Sequence, residues 1–373
     1  MSTNPLPRCA LEIDLGAIRS NALRLRGRLS PGAPLIAMVK ADAYGLGAVR
    51  VARALREVGV DTFGVAAPEE AAALRSAGVR DRIVVFGPLV PGAEGAVVDA
   101  GAEATVSSAA EIEALARAAR DAPVPVHLEI DTGMGRSGVR DDDVDGWLPA
   151  VTEALRRPGV TWRGVFTHPH SADEAGRPGL EDQLRRLAAV VGRLRPPPEV
   201  EIHGANSAAA FSGLLPDGWG ARPGIWLYGG RPGPDAPEPS PVAALRARIV
   251  RVVDVPAGAT VGYGATYVSD RPAHWATAAI GYGDGLPRLL SNRGRALVSG
   301  RAVAIVGRVS MDLTVLDVTG VEGTAPGDIA TFLGADGGAA IALAELAEHA
   351  RTIDYEILTG FTPRVSRIFT TSP

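Results

Sequence analysis

The chain has 373 residues and a mass of 38.5 kDa, room for about two domains at roughly 150 residues each; its composition, 46% hydrophobic and 21% charged, excludes a disordered chain. A formal charge of −4 leaves no basic excess for nucleic acid or an anionic membrane, no apolar stretch approaches the roughly 18–20 residues of a membrane span, and residues 1–10 lack the apolar core of a signal peptide. The single cysteine, Cys9, cannot close an internal disulfide, which fits a reducing compartment, so a cytoplasmic enzyme is expected.

From Leu11 to about Gly230 the pattern alternates strand and helix. Short apolar runs at 34–39, 62–66, 83–86, 104–107, 124–130, 162–167, 200–203 and 225–228 read as buried strands. Stretches of helical length lie between them, among them 48–58, 109–120, 144–155 and 180–194. Strands alternating with helices in this number predict an α/β fold, a (β/α)8 TIM-like barrel. A doubly wound sheet is the competitor, and no GxGxxG follows the first strand to support it. Residues 229–241, GGRPGPDAPEPSP, can be neither helix nor central strand. Beyond them β-branched runs at 247–255, 275–280, 301–305, 314–318 and 328–332, with one helix at 343–349, predict a mainly β C-terminal domain. The expected boundaries are 1–235 and 236–373, with the extreme N-terminus a candidate to join the β domain.

Of the 38 basic residues, 37 are arginines and one is a lysine, Lys40. Arginine serves on a solvated surface as lysine does, but it cannot give up its proton near neutral pH and form an imine. Lys40 ends the run LIAMVK, and side chains at the carboxyl ends of barrel strands face the active site. A lysine desolvated there is suited to attack an aldehyde cofactor, and pyridoxal phosphate is the natural one. Other polar residues fall at strand ends: Arg136, His168, Asn206 with Ser207, and Arg222 with Gly224. The loops after strands seven and eight are the usual phosphate site of such barrels. His168, His170 and Asp173 also allow a metal reading, but a proline separates the histidines and no further histidine or cysteine is near, so no metal is expected.

The segments VKADAYGLG, DTGMGRSG, THPHSADE, HGANSAA, RPGIWLYG, VGYGATY, IGYGDG, GRVSMD and IDYEI occur in this order from Lys40 to Tyr355. Together they resemble the alanine racemase family. The resemblance implies a barrel followed by a β domain, pyridoxal phosphate as cofactor, a head-to-tail homodimer, and a role in supplying D-alanine for peptidoglycan precursors. It implies that Tyr44, Ser207, Gly224, Ile225 and Tyr355 hold the cofactor phosphate, with Asn206 beside them. It implies further that Arg222 faces the pyridine nitrogen, where a permanently charged group would leave that nitrogen unprotonated and discourage side reactions such as transamination.

Racemisation removes a proton from one face of a carbon and delivers one to the other, so two bases are expected, here Lys40 and Tyr263. The resemblance has Tyr263 entering from the second subunit, with His168 hydrogen-bonded to it and touching Arg222. Met311 and Asp312 resemble the pair that meets the substrate carboxylate, while Tyr282 and Asp173 resemble residues of the substrate entrance. Arg136 is expected to bind both cofactor and substrate. One position departs from the pattern. Where many members carry a carbamylated lysine, this chain has Glu129, whose own charge is expected to serve Arg136 instead. Leu46 where histidine is common, Pro169 and Ser310 are further differences. The alternatives are racemisation of another small amino acid such as serine, and a cofactor-binding homologue without racemase activity. A decarboxylase of this fold would need a cysteine near the C-terminus, and Cys9 is the only one.

Overall fold

The computed structural model describes residues 7–371, which divide into two compact units, one of residues 19–227 with 231–239, the other of the described residues up to 18, 228–230 and those from 240 onward. In the first unit eight parallel strands pair in chain order: Ala37–Met38, Thr62–Val65, Arg82–Val85, Glu103–Val106, Val124–Asp131, Val160–Phe166, Glu201–Ala205 and Gly220–Ala221. The ring closes where Leu35 bridges Ala221: Ile36 N–H donates to the Ala221 carbonyl at 2.9 Å, and Ala221 N–H to that of Pro34 at 2.9 Å. Parallel neighbours cannot be joined by a tight turn, so helices cross between them. The helix Leu180–Leu194 shows why its sequence takes this role. Leu180, Leu184, Leu187, Val190 and Leu194 recur three or four residues apart and are all buried, while Glu181 and Asp182 sit in the first turn.

The last strand was expected at 225–228, but Ile225–Tyr228 is a 3-10 turn and the strand is Gly220–Ala221. Two small residues carry no readable alternation. The apolar run that follows is buried by a tight turn, with Leu227 N–H bonded to the Gly224 carbonyl at 2.9 Å.

The second unit is built on a mostly antiparallel nine-stranded sheet. Its longest strand, Ala243–Val255, pairs with Cys9–Asp14, Ala273–Ala278 and Ile329–Asp336. Cys9–Asp14 also lies parallel to Ser366–Thr370, so a strand from the beginning of the chain belongs to the β unit. Residues 229–241 hold no helix or strand. The short helix Asp354–Gly360, which carries Tyr355, was not expected from the sequence.

One ion cluster fixes the turn Tyr282–Asp284 of this unit. Asp284 is fully buried; Arg8 donates to both its carboxylate oxygens at 3.0 and 2.5 Å, Gly281 N–H donates at 3.0 Å, and Arg364 Nε stands 3.2 Å away. Burial alone would raise the Asp284 pKa, but the bonds from Arg8 and Gly281 outweigh it and hold the carboxyl below its ordinary value. A depressed folded-state pKa contributes stability that is present above the unfolded value, about 4, and is lost as pH falls through the folded one. We expect Asp284→Asn to lower stability by about 1.5–3 kcal/mol at pH 7 in urea melts, and the gap to the parent protein to narrow below about pH 4.

Candidate active site

Lys40 follows the first barrel strand and opens a turn of unusual hand. Ala41, Asp42, Ala43 and Tyr44 have φ of 52, 54, 52 and 57° with ψ near 37–53°, a left-handed helical turn without glycine. Each such residue costs about 1–2 kcal/mol, and the surroundings hold the strain in place. Ala41 N–H donates to Glu70 Oε1 at 2.6 Å, the other Glu70 oxygen accepts from Ala66 N–H at 2.7 Å, and Asp42 Oδ1 accepts from Ala48 N–H at 2.7 Å. The turn leaves Lys40 open to solvent at its end and buries Tyr44, whose phenol pKa is pushed up by desolvation.

Tyr44 reaches the loop after the last barrel strand. A Cβ at Gly224 would collide with the Tyr44 hydroxyl, so only glycine allows this approach. Gly224 N–H donates to Ser207 Oγ at 2.9 Å, and Asn206 Oδ1 accepts from Ala209 N–H at 2.9 Å. Gly224 N–H, expected to face a phosphate, is thus engaged by Ser207, whose own hydroxyl proton remains to be donated. Ser207 precedes only the three-residue 3-10 turn Ala209–Phe211, not a longer helix. The backbone around Ile225 is buried beside Gly224.

Arg222 lies under this loop and is 5% exposed. One Nη donates to His203 Nδ1 at 2.9 Å and to the His203 carbonyl at 2.7 Å; the other donates to the Thr167 carbonyl at 2.7 Å and faces His168 Nδ1 at 3.3 Å. The rings of Phe166 and Phe86 flank it, with centroids at 4.8 and 5.6 Å. Burial brings its pKa down to about 10, against the pull of Glu129, so it stays charged near neutral pH. His168 is pushed down to about 3 by desolvation and by the charges of Arg222, Arg136 and Lys40, so it is a neutral imidazole whose Nδ1 accepts and whose proton sits on Nε2.

The Lys40 pKa is lowered first by desolvation and then by Arg136, against a smaller upward pull from Glu70. An amine so placed has more of its neutral, nucleophilic form near neutral pH than a surface lysine. Glu129 is buried, and its Oε2 has no hydrogen-bond partner. Desolvation raises its pKa, opposed by Ser137, Arg222 and Arg136. The direct ion pair expected between Glu129 and Arg136 does not form. Arg136 stands exposed to solvent and acts on the carboxylate at a distance.

The barrel unit thus gathers Lys40, Tyr44, Glu129, Arg136, His168, Asn206, Ser207, Arg222, Gly224 and Ile225 around its strand ends. Tyr263, Tyr282, Met311, Asp312 and Tyr355 belong to the other unit. There the Tyr282 turn and the Met311 loop are bonded to each other, Tyr282 N–H to the Ser310 carbonyl at 3.0 Å and Gly283 N–H to that of Met311 at 2.8 Å. Asp312 pairs with Arg364 at 2.5 Å. Tyr263 is 69% exposed, Met311 51% and Tyr282 40%, an unusual outward display of large side chains. Asp173 is exposed on the loop after Phe166. No group of His, Cys, Asp and Glu suited to a metal occurs among the described residues, and none of their helices is long and apolar enough to cross a membrane.

His203 and Thr167 were missed as functional residues. His203 opens the segment HGANSAA, so its position was visible, but that its ring would take a bond from Arg222 was not. The residues present suit a phosphorylated pyridine aldehyde. An amine with lowered pKa and a buried cation stand at one mouth, with a loop where the Ser207 and Tyr44 hydroxyls close on Gly224.

Residues 13–232 match the family description "Alanine racemase, N-terminal domain", and residues 242–369 match "Alanine racemase, C-terminal domain". The alanine racemase of Desulfosudis oleivorans is 40% identical over 374 residues, covering 96% of this chain and 95% of its own. The solved structure of alanine racemase from E. faecalis superposes with a TM-score of 0.91 at 32% identity, covering 98% of this chain and 100% of its own. That of alanine racemase from Bartonella henselae, with covalently bound pyridoxal phosphate, superposes with a TM-score of 0.87 at 30% identity and covers 98% and 100% of the two chains.

Proposed function

This chain belongs to the alanine racemase family and is an amino acid racemase, and from that premise we propose how its residues interconvert L- and D-alanine with pyridoxal phosphate. The observation that carries the reading is the placement of the sole lysine at the mouth of the barrel, partly open to solvent, where partial desolvation and the charges of Arg136 and Arg222 lower its pKa. When bound, pyridoxal phosphate supplies an electron sink that makes the substrate Cα–H acidic. Lys40 would carry the cofactor. Tyr44, Asn206, Ser207, Gly224 and Ile225 would hold its phosphate together with Tyr355, and Arg222 would face its ring nitrogen. Lys40 Nζ takes or returns the Cα proton on one face and Tyr263 Oη does so on the other. His168, neutral and oriented by Arg222, keeps its Nε2–H to stabilise the tyrosine oxygen when that oxygen is charged. Arg136, Met311, Asp312 and Tyr282 receive the substrate.

The active unit is a homodimer in which the second copy supplies Tyr263. Support comes from the exposed aromatic and methionine side chains of the β unit, which a partner surface would cover. The reaction then furnishes D-alanine for peptidoglycan precursors in the cytoplasm. The direct test is incubation of the pure protein with L-alanine and, separately, with L-serine, followed by chromatographic separation of the enantiomers. D-alanine accumulating toward an equal mixture supports the reading; D-serine alone would redirect it to another small substrate, and no inversion of either leaves a cofactor-binding homologue.

Glu129 stands in this scheme for the charge of a carbamate. Its unpartnered oxygen is an open acceptor whose charge acts on Arg136 through space. Glu129→Gln keeps the shape and removes the charge. A hydrogen bond to a charged group contributes about 1.5–3 kcal/mol, so kcat/KM for alanine is expected to fall about 10- to 150-fold. Because the Glu129 pKa is raised, the parent enzyme should lose activity in acid above the ordinary carboxylate range, and the variant should lack that limb. Unchanged kcat and KM would make Glu129 an ordinary strand residue.

A further inference from the structure

Beneath Arg222 a line of hydrogen bonds runs through the barrel to the opposite ends of the strands. His203 Nε2 faces His127 Nδ1 at 3.0 Å, and His127 Nε2 faces Glu103 Oε2 at 2.7 Å. Arg82 grips Glu103 with Nε at 2.7 Å and Nη2 at 3.0 Å, and Glu201 with Nη1 at 2.6 Å and Nη2 at 3.0 Å. Both imidazoles are 0% exposed. Phe166 stacks on His203 at 4.9 Å, and Gly164 leaves the space His127 occupies, since a Cβ there would overlap its ring.

The two ends dictate the direction of every bond. A guanidinium only donates, so His203 Nδ1 must be an unprotonated acceptor and its proton must lie on Nε2. That N–H points at His127 Nδ1, which must therefore accept, placing the His127 proton on Nε2. Nε2–H then meets Glu103, which as a carboxylate only accepts. Burial alone would raise the Glu103 pKa, but the bonds from His127 and Arg82 hold the carboxyl down to about 2, so it is ionised. A proton added to His127 would put a second N–H against His203 Nε2–H. The chain admits one proton pattern as long as Arg222 and Glu103 keep their charges.

We infer that Glu103, at the far end of the barrel from Lys40, is a positioning residue for the racemase reaction, because its acceptor-only carboxylate closes the line opposite Arg222 and denies the histidines the reversed tautomers that would take the acceptor from the Arg222 guanidinium. The consequence for catalysis rests on the reading that Arg222 faces the cofactor ring nitrogen. His203 cannot take a proton in place of Arg222, and its burial also drives its pKa well below the usual histidine value. Arg222 is thereby anchored in one orientation with its charge retained.

The test uses the holoenzyme labelled with 15N-histidine, in which six histidines give signals. In the parent protein His127 and His203 should both show the neutral Nε2–H tautomer that the bond directions require. Glu103→Gln replaces an acceptor-only group with an amide that donates or accepts. It should introduce a second tautomer at His127, alter the pH dependence of the visible band of the bound cofactor, and lower kcat about 10-fold while KM for alanine moves less than about twofold. A His203 carrying its proton on Nδ1 in the parent protein overturns the proposal without any variant, as does a Glu103→Gln protein with the parent's histidine spectrum. Arg222→Gln separates the two readings. If it leaves the cofactor band unchanged, Arg222 does not face the ring and the link from Glu103 to catalysis is overturned, whatever the histidine spectrum shows.

Discussion

Lys40→Arg is expected to leave a folded protein with racemase activity reduced by about four orders of magnitude or more, the combined loss of a covalent anchor and a general base. The charge at the barrel mouth survives the substitution and the side chain is of similar reach. What disappears is an amine able to lose its proton: a guanidinium with pKa above about 12 neither condenses with an aldehyde nor accepts the Cα proton near pH 8. Because the chain has no second lysine, no neighbour can take over. Borohydride reduction followed by peptide mapping should place a pyridoxyl group on the Lys40 peptide of the parent protein and nowhere in the variant. Lys40→Ala supplied with methylamine should regain a small part of the activity, since the missing chemistry is that of a primary amine. A Lys40→Arg protein that still racemises alanine at more than a few per cent of the parent rate would remove Lys40 from the mechanism.

Tyr263→Phe is expected to lower kcat/KM about 100- to 10,000-fold in both directions, the range for loss of a positioned proton donor or acceptor. Under the two-base proposal both directions suffer, because each inversion would use both bases. The two half-functions can be told apart in deuterium oxide. The face served by Lys40 should still exchange its Cα proton, so one enantiomer should incorporate deuterium without inverting and the other should not exchange. Mixing Lys40→Ala and Tyr263→Phe chains tests where the tyrosine comes from. If the second copy supplies it, a mixed dimer holds one site with both bases and one with neither, and a 1:1 random mixture should recover about one quarter of parental activity. If exchange of subunits is demonstrated and no activity returns, each chain builds its own site.

The barrel was legible because its strands are buried on both faces and read as continuous apolar runs, punctuated by amphipathic helices whose bounds, 180–194 above all, follow from spacing alone. The proposal for Lys40 rests on a different signal: lysine is absent from the whole chain save at a strand end, and an arginine there could not form an imine. The family motifs carried the other site positions. Local sequence could not place the eighth strand, because Gly220–Ala221 has no pattern and the neighbouring apolar run is buried in a turn. The extreme N-terminus was a candidate for the β domain, but which strands Cys9–Asp14 joins could not be read, since that pairing is set by partners far along the chain.

Three features were decided by tertiary structure. The left-handed turn at Ala41–Tyr44 runs against the propensity of its alanines and tyrosine and is held by Glu70, from a separate helix, on the Ala41 backbone and by Asp42 on that of Ala48. Glu129 is buried with its carboxyl pKa raised by desolvation, and it makes no direct ion pair with the exposed Arg136. The histidine tautomers beneath Arg222 depend on a donor-only group and an acceptor-only group at opposite ends of a hydrogen-bonded line assembled from residues 82, 103, 127, 203 and 222. By itself the sequence determined which chemistry the chain can perform, because functional groups are properties of residues. Orientation and protonation were decided by the fold, because burial, charge neighbours and bond direction are properties of residues brought together.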